Sequence, residues 1–183
     1  MTTDHDSTCL ETFPEWLRSL ATDAKTLGEV VADESHPLAV RQLATGGLNY
    51  LFKSLDLIPD GIEDLGYLDD AFVLRVAAQL ALEVDAGGAP PAAGLADLAA
   101  GTALIAGLLG DDYARLVSYV RALKGGAARG RSVDDIVGDA DVRRDFLNEV
   151  AGWATSYEAP SFGQDEKNLV KLKAFMSAKL PTA

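Results

Sequence analysis

The stretch Leu68-Asp69-Asp70-Ala71-Phe72-Val73-Leu74-Arg75-Val76-Ala77-Ala78-Gln79-Leu80-Ala81-Leu82-Glu83-Val84 decides the fold class. Leu68, Phe72, Val73, Val76, Ala77, Leu80 and Val84 recur at spacings of three and four, which places them on one helical face. Arg75, Gln79 and Glu83 stand four apart and read as the polar stripe opposite. Asp69 and Asp70 open the segment, where the positive end of the helix dipole favours carboxylates. No turn signal interrupts the pattern, so a helix over 68–84 is predicted.

The same period continues outward in both directions. Thr12-Phe13-Pro14-Glu15 reads as a capping box with an early proline, opening a helix that carries Trp16, Leu17 and Leu20 to about Ala32. Ser35-His36-Pro37 restarts the chain, and Leu38, Val40, Leu43, Leu48, Leu51 and Phe52 supply the next apolar face. Gly46 and Gly47 interrupt it at a cost of about 2 kcal/mol relative to alanine, so they mark either a close backbone approach or a kink. Downstream, helices are predicted over about 95–109, 111–123, a turn capped by Ser132, a segment ending before Pro160, and a last helix from near Gln164 to before Pro181. No β-alternation and no internal repeat is present. The expected fold is all-α, a compact multi-helix bundle of about six to eight helices. Pro90 and Pro91 divide it into an N-terminal half, 1–86, and a C-terminal half, 92–183, expected to pack together as one domain.

Composition narrows the function classes. Lys and Arg total 16 against 28 Asp and Glu, for a formal charge of -12. That surplus opposes phosphate-backbone binding, so no nucleic-acid partner is expected. Cys9 is the only cysteine, which excludes an internal disulfide and a thiolate zinc site. The opening residues lack the basic and apolar regions of an export signal, and His5 falls in a polar stretch expected to fray. A cytoplasmic location follows as the expectation. The apolar run after Pro91 is short, rich in Ala and Gly, and carries Asp97, so it reads as a core helix rather than a membrane span.

Between the second and third helices the chain reads Asp56-Leu57-Ile58-Pro59-Asp60-Gly61-Ile62-Glu63-Asp64-Leu65-Gly66-Tyr67-Leu68-Asp69-Asp70. Pro59 excludes helical dihedrals at Ile58. Asp60 and Glu63 have the spacing of a capping box, and Gly66 is placed to close that turn in a left-handed conformation. The stretch is thus explained as a corner between packed helices. It also closely resembles the YkvA-like family, catalogued as domain of unknown function 1232. The resemblance rests on Tyr50, Asp56, Leu57, Ile58, Pro59, Asp60, Gly66, Tyr67, Leu68, Asp69 and Asp70, and covers about 43–82. Ser54 stands where the family usually has proline, and Ile62-Glu63-Asp64 replaces an Ile-Pro-Val-like run. The resemblance implies a small helical domain with no assigned reaction. Some relatives are membrane-associated, which brings peripheral membrane association into view.

Six carboxylates crowd this corner. Hard cations take several oxygen ligands, so Asp56, Asp60, Asp69 and Asp70 form a candidate Mg²⁺ or Ca²⁺ set, the basis of an alternative reading as a cation-dependent, hydrolytic protein. The spacing is not that of a calcium-binding helix-loop-helix, and capping accounts for Asp60 and for Asp69 or Asp70 without any metal, so no cofactor is expected. No catalytic residue stands out: Ser118, Ser132 and Thr155 have no histidine-containing constellation nearby. The basic loop Lys124–Arg131 lacks a phosphate-loop ending and reads as a solvated linker. The leading expectation is a non-enzymatic helical interaction or scaffold module with a protein partner or a second copy of itself.

Overall fold

In the computed structural model, residues 3–53, 56–59, 62, 65–84 and 94–182 are described. Among them are nine α-helices: α1 (Asp4–Ala32), α2 (Leu38–Tyr50), α3 (Leu68–Val84), α4 (Leu95–Ala100), α5 (Thr102–Leu109), α6 (Asp112–Ala122), α7 (Val133–Gly138), α8 (Ala140–Ser156) and α9 (Glu166–Lys179). The all-α expectation holds. One apolar cluster gathers residues from α1 through α9, with α3 at its centre, packed on α2, α4, α1, α6 and α5. No helix among the described residues is long and apolar enough to cross a membrane.

The predicted helix over 68–84 matches α3 residue for residue. The start of α1 does not match. Thr3, not Thr12, is the cap, accepting the Asp6 amide at 3.0 Å, and Pro14 lies inside the helix. Proline there removes one backbone bond. Burial of Cys9, Leu10 and Phe13 continues the apolar stripe past that defect and outweighs it. His5 is therefore helical and seated against Gly107 of α5, not frayed. Cys9 is fully buried and its thiol is pushed up to about 11, chiefly by desolvation and also by the Asp6 carboxylate.

The segment predicted as a single helix over 95–109 is split at Gly101. A Cβ there would meet Arg75 Cδ at 2.8 Å and Trp16 Cζ2 at 3.0 Å, so only glycine lets α4 and α5 close over these side chains. Arg75 itself is a correction to the polar stripe. It is 4% exposed, donates Nη2 to Asp23 Oδ2 at 3.1 Å and Nη1 to the Ala71 carbonyl, and lies 4.1 Å from the Trp16 ring centroid. Ser19 Oγ donates to the same Asp23 oxygen at 2.8 Å. A charge that helical periodicity assigned to solvent is instead paired in the core.

Gly46 and Gly47 resolve as close approach without interruption of α2. A Cβ on Gly47 would fall 2.7 Å from Ala77 Cβ of α3, and one on Gly46 would fall 3.1 Å from the backbone at Leu123 and Lys124. Gly47→Ala is accordingly expected to destabilise the fold by about 1–3 kcal/mol through overpacking, despite the better helix propensity of alanine. Gly152→Ala in α8, whose Cβ would meet nothing within 4 Å, is expected to be neutral or stabilising by up to about 1 kcal/mol. Chemical denaturation of the two variants side by side checks the contrast.

The basic loop is more ordered than a linker. After a 3₁₀ turn (Leu123–Gly125), β1 (Ala127–Ala128) and β2 (Arg131–Ser132) form an antiparallel hairpin, with Arg129 and Gly130 both at positive φ. Two positive-φ residues give the turn twist that short hairpins favour. Strands of two residues leave no alternation to read. Arg129 and Arg131 pair with Glu149 at 3.5 and 2.6 Å and lie over Phe52 and Phe146. Ser132 caps α7 as predicted, in a reciprocal box with Asp135.

Candidate functional site

The corner between α2 and α3 is built from two buried ends and a loop that returns over them. Tyr50, the last residue of α2, and Asp69, in the first turn of α3, are both fully buried. The Tyr50 hydroxyl donates to Asp69 Oδ2 at 2.5 Å. The same carboxylate oxygen accepts the Ile58 amide at 3.2 Å, and the Tyr50 hydroxyl oxygen accepts the Leu57 amide at 2.7 Å. One phenol and one carboxylate thus satisfy two loop N–H groups that burial of Leu57 and Ile58 would otherwise leave without water.

The rest of the motif shapes the return path. Pro59 accepts the Ile62 amide at 3.0 Å, and Ile62 accepts the Gly66 amide at 2.9 Å. Among the described residues of this corner the left-handed one is Tyr67, φ 69°, one position beyond the Gly66 that the sequence pattern favours. Strain at a tyrosine there costs about 1 kcal/mol or more. It is held by packing: the Tyr67 ring meets the Tyr157 ring at 5.3 Å, and Tyr157 donates its hydroxyl to the Leu17 carbonyl at 2.8 Å. The strained residue therefore ties the corner to α8's end and to α1.

Electrostatics around the Tyr50–Asp69 hydrogen bond are dominated by burial and carboxylates. Burial, followed by the neighbouring Asp69 and Asp70 carboxylates, pushes the Tyr50 phenol far above its ordinary value, so it remains a neutral donor. Tyr119 of α6, whose ring meets that of Tyr50 at 6.2 Å, is raised to about 12 by burial and by Asp69 and Asp56. Lys53 sits 5.5 Å over the Tyr119 ring.

Of the four carboxylates in the candidate cation set, Asp69 and Asp70 are buried, Asp56 is half-buried, and Asp60 lies outside the described residues, as do Gly61, Glu63 and Asp64. The Asp60–Glu63 capping box therefore falls outside them too. Among the described residues no three His, Cys, Asp or Glu side chains come together so as to hold a metal ion. What the sequence reading missed is Tyr50 as the partner of Asp69. The available signal was an aromatic at a helix end, 19 residues before a carboxylate at the next helix start.

Fold and corner together define a class: an all-α bundle organised on a buried tyrosine–aspartate helix corner. Residues 40–75, a partial segment of the chain that spans most of this corner, match the family described as Protein of unknown function (DUF1232), in agreement with the resemblance drawn from the motif. Comparison with curated proteins and with solved structures returned no match.

Proposed function

We propose that this chain is a non-enzymatic helical interaction module that pairs with a second copy of itself, and that the family-like segment serves as its architectural corner. Engagement of Asp69 by Tyr50 and Ile58 supports the architectural part, because a carboxylate already accepting two hydrogen bonds in full burial is poorly placed to bind substrate.

The observation that carries the pairing is an open apolar groove between α1 and α8, about 330 Å³ in volume, walled by Gly28, Ala32, Leu147, Val150 and Ala151. Its small residues leave room for another helix backbone to approach. Lys25 and Glu29 flank the groove, both exposed and with no ionic partner among the described residues. A two-fold axis near this point runs the two α1 helices antiparallel, each seated in the other's groove. Lys25 of one copy then opposes Glu29 of the other, and the reverse. One patch thus supplies both halves of an isologous contact.

Light scattering coupled to size exclusion tests this. The wild type is expected to be dimeric, and Lys25→Glu, which turns two attractive contacts into two repulsive ones, to weaken dimerisation about tenfold or more. The double swap Lys25→Glu/Glu29→Lys is expected to restore it. A wild type that stays monomeric at high micromolar concentration, or a double swap no better than the single, refutes the proposal.

A further inference from the structure

Asn49, in the last turn of α2, is 4% exposed, and its side-chain oxygen Oδ1 accepts no hydrogen bond among the described residues. The two ends of this carboxamide are distinguishable. Nδ2 donates to the Arg131 carbonyl of β2 at 3.4 Å, so exchanging the two atoms would set one oxygen against another. A buried acceptor without a donor is costly, and protein interiors supply the donor either from a neighbouring group or from an ordered water.

Asn49 also lines a half-enclosed cavity between the end of α2 and the loop that enters the β1–β2 hairpin. Gly46 on the helix side and Gly126 on the loop side border it without side chains. Its volume is about 10 Å³, enough for one water molecule and for no larger ligand. Lys53 is the one charged residue among those lining it. That ammonium repels a metal ion, and the carboxamide oxygen repels an anion. A neutral molecule that donates and accepts suits both: it donates to Asn49 Oδ1 and accepts one of the three Lys53 donors. Lys53 is also the internal rival, since its own ammonium competes for the same oxygen from four residues away.

We propose that this cavity is a hydration site, holding one ordered water molecule that donates to Asn49 Oδ1 between α2 and the hairpin. The reading is independent of self-association through the α1–α8 groove. A high-resolution crystal structure of the full chain locates the water, and oxygen-17 magnetic relaxation dispersion counts the waters that stay bound longer than the molecule tumbles. The crystal structure is expected to place a water within hydrogen-bond distance of Asn49 Oδ1. Asn49→Leu keeps the shape and removes the acceptor, so its dispersion amplitude is expected to fall by the contribution of one water. Asn148→Leu, at an exposed position of α8, is expected to leave the amplitude as in the wild type. No water at that oxygen, the Lys53 ammonium bonded to it instead, or equal amplitudes for wild type and Asn49→Leu would each overturn the assignment. Should Asn49→Leu fail to fold, the crystal structure of the wild type decides alone.

Discussion

Asp69→Ala is expected to cost about 3–5 kcal/mol of folding stability. It strands two buried donors, the Tyr50 hydroxyl and the Ile58 amide, each worth about 1–3 kcal/mol when left without an acceptor. Tyr50→Phe should cost somewhat less, because it strands the Leu57 amide and removes one donor from Asp69. The two changes share one network, so their combination is expected to fall short of the sum by about 1 kcal/mol or more. Asp69→Asn keeps an acceptor oxygen in place and should be the mildest of the set. Urea denaturation of the four variants gives the cycle. A loss below about 1 kcal/mol for Asp69→Ala would remove the corner's architectural role.

Arg75→Ala is the second large effect, expected at about 3–5 kcal/mol, since it leaves Asp23 without the cation that compensates its burial. Desolvation dominates both members of the pair: it raises Asp23 above the ordinary carboxylate range and lowers Arg75, and each partner works against the other's shift. Without Arg75, Asp23 rises further. A carboxyl whose folded pKa exceeds its unfolded value binds more protons in the native state, so stability falls as pH rises through the interval between the two values. The deficit of the variant should therefore shrink on acidification towards and below that interval. Replacing both residues by leucine should recover part of the loss, because an apolar pair leaves no charge uncompensated. A deficit independent of pH would show that Arg75 acts through packing on Trp16 alone.

These two interactions also mark where sequence reading stops. Periodicity recovered α3 because every residue from Leu68 to Val84 obeys one local rule and no breaker intervenes. It failed for Arg75 because a helical wheel assigns a face and cannot name a partner 52 residues away on α1. The Tyr50–Asp69 bond has the same character over a shorter span: both residues were visible as motif positions, but their contact exists only once α2 and α3 have turned against each other. Local rules misled at α1, where Thr12-Phe13-Pro14-Glu15 has every mark of a start, yet the burial of Cys9 and Leu10 carries the helix past it. They misled again at Gly101, whose role depends on Trp16 and Arg75. Gly46 and Gly47 were read correctly as a pair of alternatives, and only the position of Ala77 and of the Leu123 backbone selects between them.

Cys9 gives the molecule an internal clock. Its sulfur is sealed on the buried face of α1 and holds its proton well into alkaline conditions, so an alkylating reagent meets a reactive thiolate only in molecules that have come apart. The labelling half-life under native conditions consequently measures the population of opened chains. The chain thus carries its own reporter for every substitution discussed above, with no probe added and no second cysteine to confound the count.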